Sequence, residues 1–151
     1  MHTKFTKIDK TDFSNWVLWF HAGDAWLNSL EILRDNRDRI FWGVFYVTPS
    51  VVAFCLELFV KSLAAHVDNL FVGKDYPHNT TAIIEKYASS IPVFNKIKTD
   101  KHLIKIIKEY EKTKDTRFGE TYVSLNGDDQ MKLISLIYEL RSEICKRTGL
   151  H

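Results

Sequence analysis

The stretch Val51-Val52-Ala53-Phe54-Cys55-Leu56-Glu57-Leu58-Phe59-Val60-Lys61-Ser62-Leu63-Ala64-Ala65 decides the fold. It is apolar on nearly every side and follows Thr48-Pro49-Ser50, a helix-start signal in which proline suits the first turn. A helix that is apolar all round has to be enclosed by other elements. Residues from about Pro49 to His66 are therefore expected to form the central, most buried helix. Glu57 and Lys61, one turn apart, are its only charges before His66. At a helix edge such a pair contributes only about 0.3–0.5 kcal/mol. If buried, each charge needs a partner, and the pair marks a pocket or an interface. Both readings stay open at this level.

Working outward, the flanks supply amphipathic neighbours. Thr11 or Asp12 can cap a first helix reaching about Leu33, with Phe13, Trp16, Val17, Phe20, Leu27 and Leu30 near one face. Trp19, Ala22, Trp26 and Leu33 make a second apolar strip, so this helix should pack against more than one partner. The charged residues 34–39 read as an exposed turn, and residues 40–47 suit helix or strand equally. Residues 40–56 carry no charge and approach the lower length limit of a membrane-spanning helix. Pro49 interrupts them, and Gly43, Thr48 and Ser50 dilute them, so two helices meeting at a turn are expected and no membrane segment.

After a loop over residues 67–78, Asn79, Thr80 or Thr81 can cap a short helix that Pro92 is expected to end. A helix over residues 100–112 bears the stripe Leu103, Ile106, Ile107 and Tyr110. Asp128 or Asp129 should cap the last long helix, in which Leu133, Ile137, Leu140 and Ile144 share a face. Residues 120–125 have some strand character, but one short strand makes no sheet. The expected architecture is all-α, an antiparallel bundle of five or six helices forming one domain over residues 1–151.

Composition agrees. With 45% apolar and 26% charged residues, the 151-residue chain can bury a core without disulfides or metal. Its net charge of +2 neither requires nor excludes a nucleic-acid partner, so local distribution must decide. Cys55 and Cys145 are far apart, and the start of the chain lacks a signal-peptide apolar run. A cytoplasmic location with free thiols is expected.

The sharpest local pattern is Lys101, Lys105, Lys108 and Lys112, one ridge opposite the apolar stripe of its helix, with Lys96, Lys98 and Lys114 near its ends. Such a ridge can track phosphates of RNA, DNA or a nucleotide. The solvated face of a surface helix, with Glu109 and Glu111 on its flanks, is the more ordinary reading, because surface helices normally carry charged outer faces. His21 and Asp24 share a helix face, but two potential ligands make no metal site, and no histidine pair has metal-binding helical spacing. Phosphate-binding glycine loops and the Gly-x-Ser-x-Gly elbow are missing too. Neither a metal nor a cofactor is expected.

The quoted 51–65 stretch, with its Glu57-Leu58-x-x-Lys61-x-Leu63 pattern, resembles the second long helix of HEPN domains, helical nucleotide-binding domains of higher eukaryotes and prokaryotes. His78-Asn79-Thr80 is similar to the His-Asp-Leu that opens the following helix in many members, and Thr116-Arg117-Phe118 is similar to an Arg-Tyr in the loop before the last helix. The resemblance spans about residues 12–147. It implies an antiparallel helical bundle, frequent homodimers and roles around RNA or nucleotides, in ribonucleases of toxin–antitoxin and defence systems or in noncatalytic partners of nucleotidyltransferases. Catalytic members carry Arg, a polar residue and then His, with four to six residues between Arg and His. Here Arg147 and His151 are separated by only Thr148, Gly149 and Leu150, and Arg141 stands too far back.

The resulting expectation is a noncatalytic binding module for nucleotide, RNA or a partner protein. Lys101, Lys105, Lys108, Lys112 and Arg117 would contact phosphate, while Glu57, Lys61 and His78 would organise a pocket or interface. Two alternatives are a ribonuclease with a displaced Arg147/His151 site and a purely structural protein–protein interaction domain.

Overall fold

Helix α2 (Phe41–Val67) runs through the middle of the protein, and α1 (Trp16–Asp35), α3 (Thr80–Tyr87), α5 (Lys101–Lys112) and α6 (Gly127–Thr148) each pack against it. The short α4 (Pro92–Thr99) completes the set by packing on α3 and α5. The computed structural model describes residues 16–36, 41–113 and 126–150, with backbone only for 41–46. Six α-helices, a 3₁₀ turn at Gly73–Asp75 and no strand occur among these residues, so the protein is all-α.

The centrality of α2 follows from its composition. Val52, Cys55, Leu56, Phe59, Val60 and Leu63 are buried along one face, and Val51, Ala53, Ala65, Glu57 and Lys61 are buried around the rest of its circumference. At roughly 1.5–3 kcal/mol for each large apolar side chain removed from water, this helix alone anchors the core. Its 21 residues Val47–Val67 are long and apolar enough to cross a bilayer, but most of that stretch is enclosed by the other helices. Gly23 lets α1 approach closely: a Cβ there would sit 2.9 Å from Phe59 Cε1. Phe20 also packs edge-on against Phe59, with ring centroids 5.8 Å apart.

Three boundaries differ from the sequence expectation. The turn expected at Pro49 is absent, because α2 continues through it. A proline in a helix interior costs about 3 kcal/mol, through a missing N–H and a crowded carbonyl. Pro92 does not simply end a helix. Residues 88–91 form the turn after α3, closed by Ser90 and Ile91 N–H groups donating to the Tyr87 carbonyl, and Pro92 then opens α4. Its fixed φ and lack of a donor suit that first position.

The last helix is capped by Asn126, whose side chain accepts from Asp128 N–H. Asp128 and Asp129 occupy the first turn instead, where carboxylates complement the helix dipole. Gly149 closes the helix at φ 72°, donating to the Cys145 carbonyl. The expected caps Thr11 and Asp12, and the strand-like residues 120–125, lie outside the described residues.

Candidate functional site

The charged pair on α2 is buried. Lys61 Nζ donates to Glu57 Oε1 at 2.6 Å, and the two side chains are only 8% and 6% exposed. That removes the helix-edge reading: two ions taken out of water need several partners each. Glu57 Oε2 lies 3.3 Å from His78 Nδ1, and Lys61 Nζ sits 5.0 Å from the centre of the Trp19 ring on α1. The aromatic face offers the ammonium partial compensation for lost water.

His78 belongs to the loop ahead of α3. Its backbone has φ 52°, a left-handed conformation uncommon for a residue with a Cβ but more frequent for histidine than for most. Its ring is half-exposed and meets Phe54 edge-on. Glu57, Lys61 and His78, far apart in the chain, are thus brought together. Gly73 makes room for this: a Cβ there would come 2.7 Å from Trp19 Cζ2. Trp19 and Gly73 were not among the residues singled out from sequence for this cluster, because neither carries chemistry of its own.

Helix α5 is strongly two-sided. Ile106, Ile107 and Tyr110 are buried, whereas Lys101, Lys105, Lys108 and Lys112 are all exposed. None of the four has an ion-pair partner among the described residues, in contrast to Lys96, whose Nζ lies 2.9 Å from Glu139 Oε1. Nearby acids are turned to other tasks. Asp100 caps α5 by accepting from Leu103 N–H at 3.0 Å. Asp129 faces His102 at 3.1 Å. Glu111 reaches across to α3, accepting the Thr80 N–H at 2.5 Å. Glu109 is half-buried and is the remaining acid on α5.

The Glu111–Thr80 bond also relates the two candidate regions. Glu111 stands one residue from Lys112 at the end of the ridge, and Thr80 stands two residues from His78. The α3 start is therefore satisfied internally, by Glu111 and by Asn79, which accepts from Ala82 N–H. It offers no free pair of amides for an anion.

No family model, curated protein or solved structure matches the chain at a significant level. Chemistry must therefore be read from the residues alone.

The other predicted positions separate from these regions. Arg117 and His151 lie outside the described residues. Arg147 Nε donates to Glu143 at 2.6 Å. Asp24, considered with the exposed His21, accepts two bonds from Arg141 instead, at 2.7 and 3.1 Å. Among the described residues no group of three His, Cys, Asp or Glu is placed to hold a metal.

One polar anchor had no clear sequence signal. Asp68 accepts from Tyr87 OH at 2.7 Å and from Leu70 N–H at 2.9 Å, which fastens the loop after α2. These bonds hold the Asp68 carboxyl below its ordinary range, the Tyr87 bond foremost. Burial, reinforced by Asp68, pushes the Tyr87 phenol up to about 12.

Proposed function

We propose that the chain is a HEPN-like, noncatalytic binding module whose ligand carries phosphates, as RNA or a nucleotide does, and that the α5 ridge is the docking face. The observation carrying this reading is the row Lys101, Lys105, Lys108 and Lys112, exposed together while Asp100, Glu111 and Asp129 are engaged elsewhere. Surface helices commonly have charged outer faces, but usually with both signs interleaved. Here the row itself carries one sign, and Asp100 and Glu111, though still charged, direct their carboxylates at backbone N–H groups and form no ion pair with these lysines. The absence from the sequence of the HEPN Arg–His spacing, together with the engagement of Arg147 by Glu143, supports a binding role over the displaced ribonuclease site.

The test is binding of a labelled short RNA across a salt series, for wild type and for Lys105→Glu combined with Lys108→Glu. Binding that weakens steeply with salt and is lost in the variant, at unchanged melting temperature, is expected. Absent or salt-independent binding sinks the reading.

A second reading, docking of a partner protein, has its own observation. Leu18, Ala25 and Ile32 recur every seven residues along the outer side of α1, and Ile32 is 63% exposed. A second copy or a nucleotidyltransferase would fit the HEPN-like reading. A solution mass showing only monomer at high concentration removes the homodimer, and unchanged assembly in Ile32→Glu removes this face.

A further inference from the structure

We propose that Trp26, Phe54 and His78 form a ledge on which an unpaired base stacks, so that the ligand of the adjoining α5 ridge is single-stranded nucleic acid. This rests on the phosphate-docking reading above and adds a contact that a polymer of phosphate alone cannot use.

The ledge is assembled from three separate elements. The Trp26 ring on α1 lies against the Phe54 ring on α2, with centroids 5.0 Å apart and planes inclined by 24°. From the loop ahead of α3, His78 meets Phe54 edge-on at 6.2 Å. The three rings are continuous, and both outer members face water: Trp26 is 38% exposed and the His78 side chain 53%. Tryptophan is highly buried on average, so one left this open has ring surface still to be covered.

His78 is fixed in place. It has positive φ, 52°, a backbone state that is uncommon for a residue with a Cβ and persists where the surroundings hold it. Glu57 Oε2, 3.3 Å from its ring, does part of the holding, and Glu57 is itself anchored by Lys61 at 2.6 Å. The buried ion pair thereby positions one end of the ledge.

Two contacts join the ledge to the ridge. Ser50 Oγ donates to the carbonyl of Thr113, the residue after Lys112, at 3.1 Å. Ser50 precedes Phe54 by one turn of α2, about 6 Å at roughly 1.5 Å per residue. Glu111 makes the second contact by accepting from Thr80 N–H, two residues from His78. The C-terminal end of the lysine row therefore lies about one helical turn from Phe54. A strand whose phosphates follow Lys101 to Lys112 brings a base to these rings. A basic track combined with aromatic faces is how proteins hold single strands. In a duplex the faces of a base are already stacked on its neighbours, so the ledge takes an unpaired one.

The test compares the wild-type chain on two labelled probes across a salt series: a short single strand and an abasic strand of the same length. Both present the same phosphates, and only the first has bases. The base-bearing strand should bind about five- to a hundredfold more tightly. Trp26→Leu keeps apolar bulk against Phe54 but removes the indole face, so it should bind both strands alike with the salt slope unchanged. Lys105→Gln combined with Lys108→Gln should do the reverse, lowering the slope while keeping the preference for bases.

Equal wild-type affinity for the two strands overturns the ledge and leaves phosphate docking intact, and this comparison needs no variant to fold. An undiminished preference in Trp26→Leu overturns it too. A slope unchanged by the lysine variant, or no binding of either strand, removes the ridge, and the inference falls with the reading it rests on.

Discussion

Lys61 and Glu57 face each other at 2.6 Å across one turn of the most buried helix, and His78 closes on the second carboxylate oxygen from the loop ahead of α3. Removing one member takes from the other its nearest opposite charge. Lys61→Met leaves Glu57 buried beside a half-exposed histidine and should cost about 3–5 kcal/mol in chemical denaturation. Replacing both, as Glu57→Leu with Lys61→Met, should recover most of that loss, because a well-packed apolar pair avoids desolvation altogether. Additive losses in the double variant would mean the two ions do not compensate each other.

The same cluster marks the limit of what the sequence could say. The four-residue spacing of Glu57 and Lys61 is the same for a surface pair and for a buried one. What decides between them is Trp19, contributed by α1, and His78, contributed by a distant loop. By contrast α5 was legible outright, since Leu103, Ile106, Ile107 and Tyr110 fix its buried side and thereby place the four lysines outward. Pro49 and Pro92 misled for a common reason: proline restricts one residue, while continuation of a helix depends on the partners of its neighbours. The pairing of Glu111 with Thr80 joins positions 31 residues apart and has no local pattern to announce it.

Gly23 tests the α1–α2 approach. Alanine there gains about 1 kcal/mol of helix propensity, yet its Cβ would meet the Phe59 ring at 2.9 Å in the centre of the core. Phe59 is wholly buried and cannot swing away. Overpacking of about 1–3 kcal/mol should dominate, so Gly23→Ala melts below wild type. A raised melting temperature would show that the two helices separate easily.

Asp68 and Tyr87 give a pH dependence at both ends of the scale. The folded Asp68 carboxyl is held below its ordinary 3.8, so its contribution is complete above 3.8 and is lost as pH falls through the lower folded value. The folded Tyr87 phenol is raised from 10.0 to about 12, so its contribution is present below 10 and is lost as pH rises through 12. Melting temperatures of Tyr87→Phe should therefore fall less steeply than wild type in both windows. Parallel curves would show that the hydroxyl is not linked to folding.

The two cysteines should separate cleanly by reactivity. Burial pushes the Cys55 thiol up to about 12, whereas Cys145 is half-buried on α6. The thiolate is the reacting form, so a disulfide-exchange reagent should label Cys145 first. Cys55 should react only as fast as the protein unfolds, and both should react at once in denaturant. Rapid labelling of Cys55 in the folded protein would mean that α2 opens locally.

Glu111 links stability to the proposed binding face with opposite signs. Its carboxylate accepts the Thr80 N–H while adding a negative charge one residue from Lys112. Glu111→Gln keeps an acceptor and removes the charge, so it should change stability by less than about 1 kcal/mol and strengthen binding of a short oligonucleotide at low salt. Glu111→Ala should strengthen binding similarly but cost about 1–2 kcal/mol, because the α3 N–H loses its partner. Measured side by side, the two variants separate the capping role of this residue from its charge. Weaker binding in both, at matched stability, would place the phosphate contacts away from the α5 ridge.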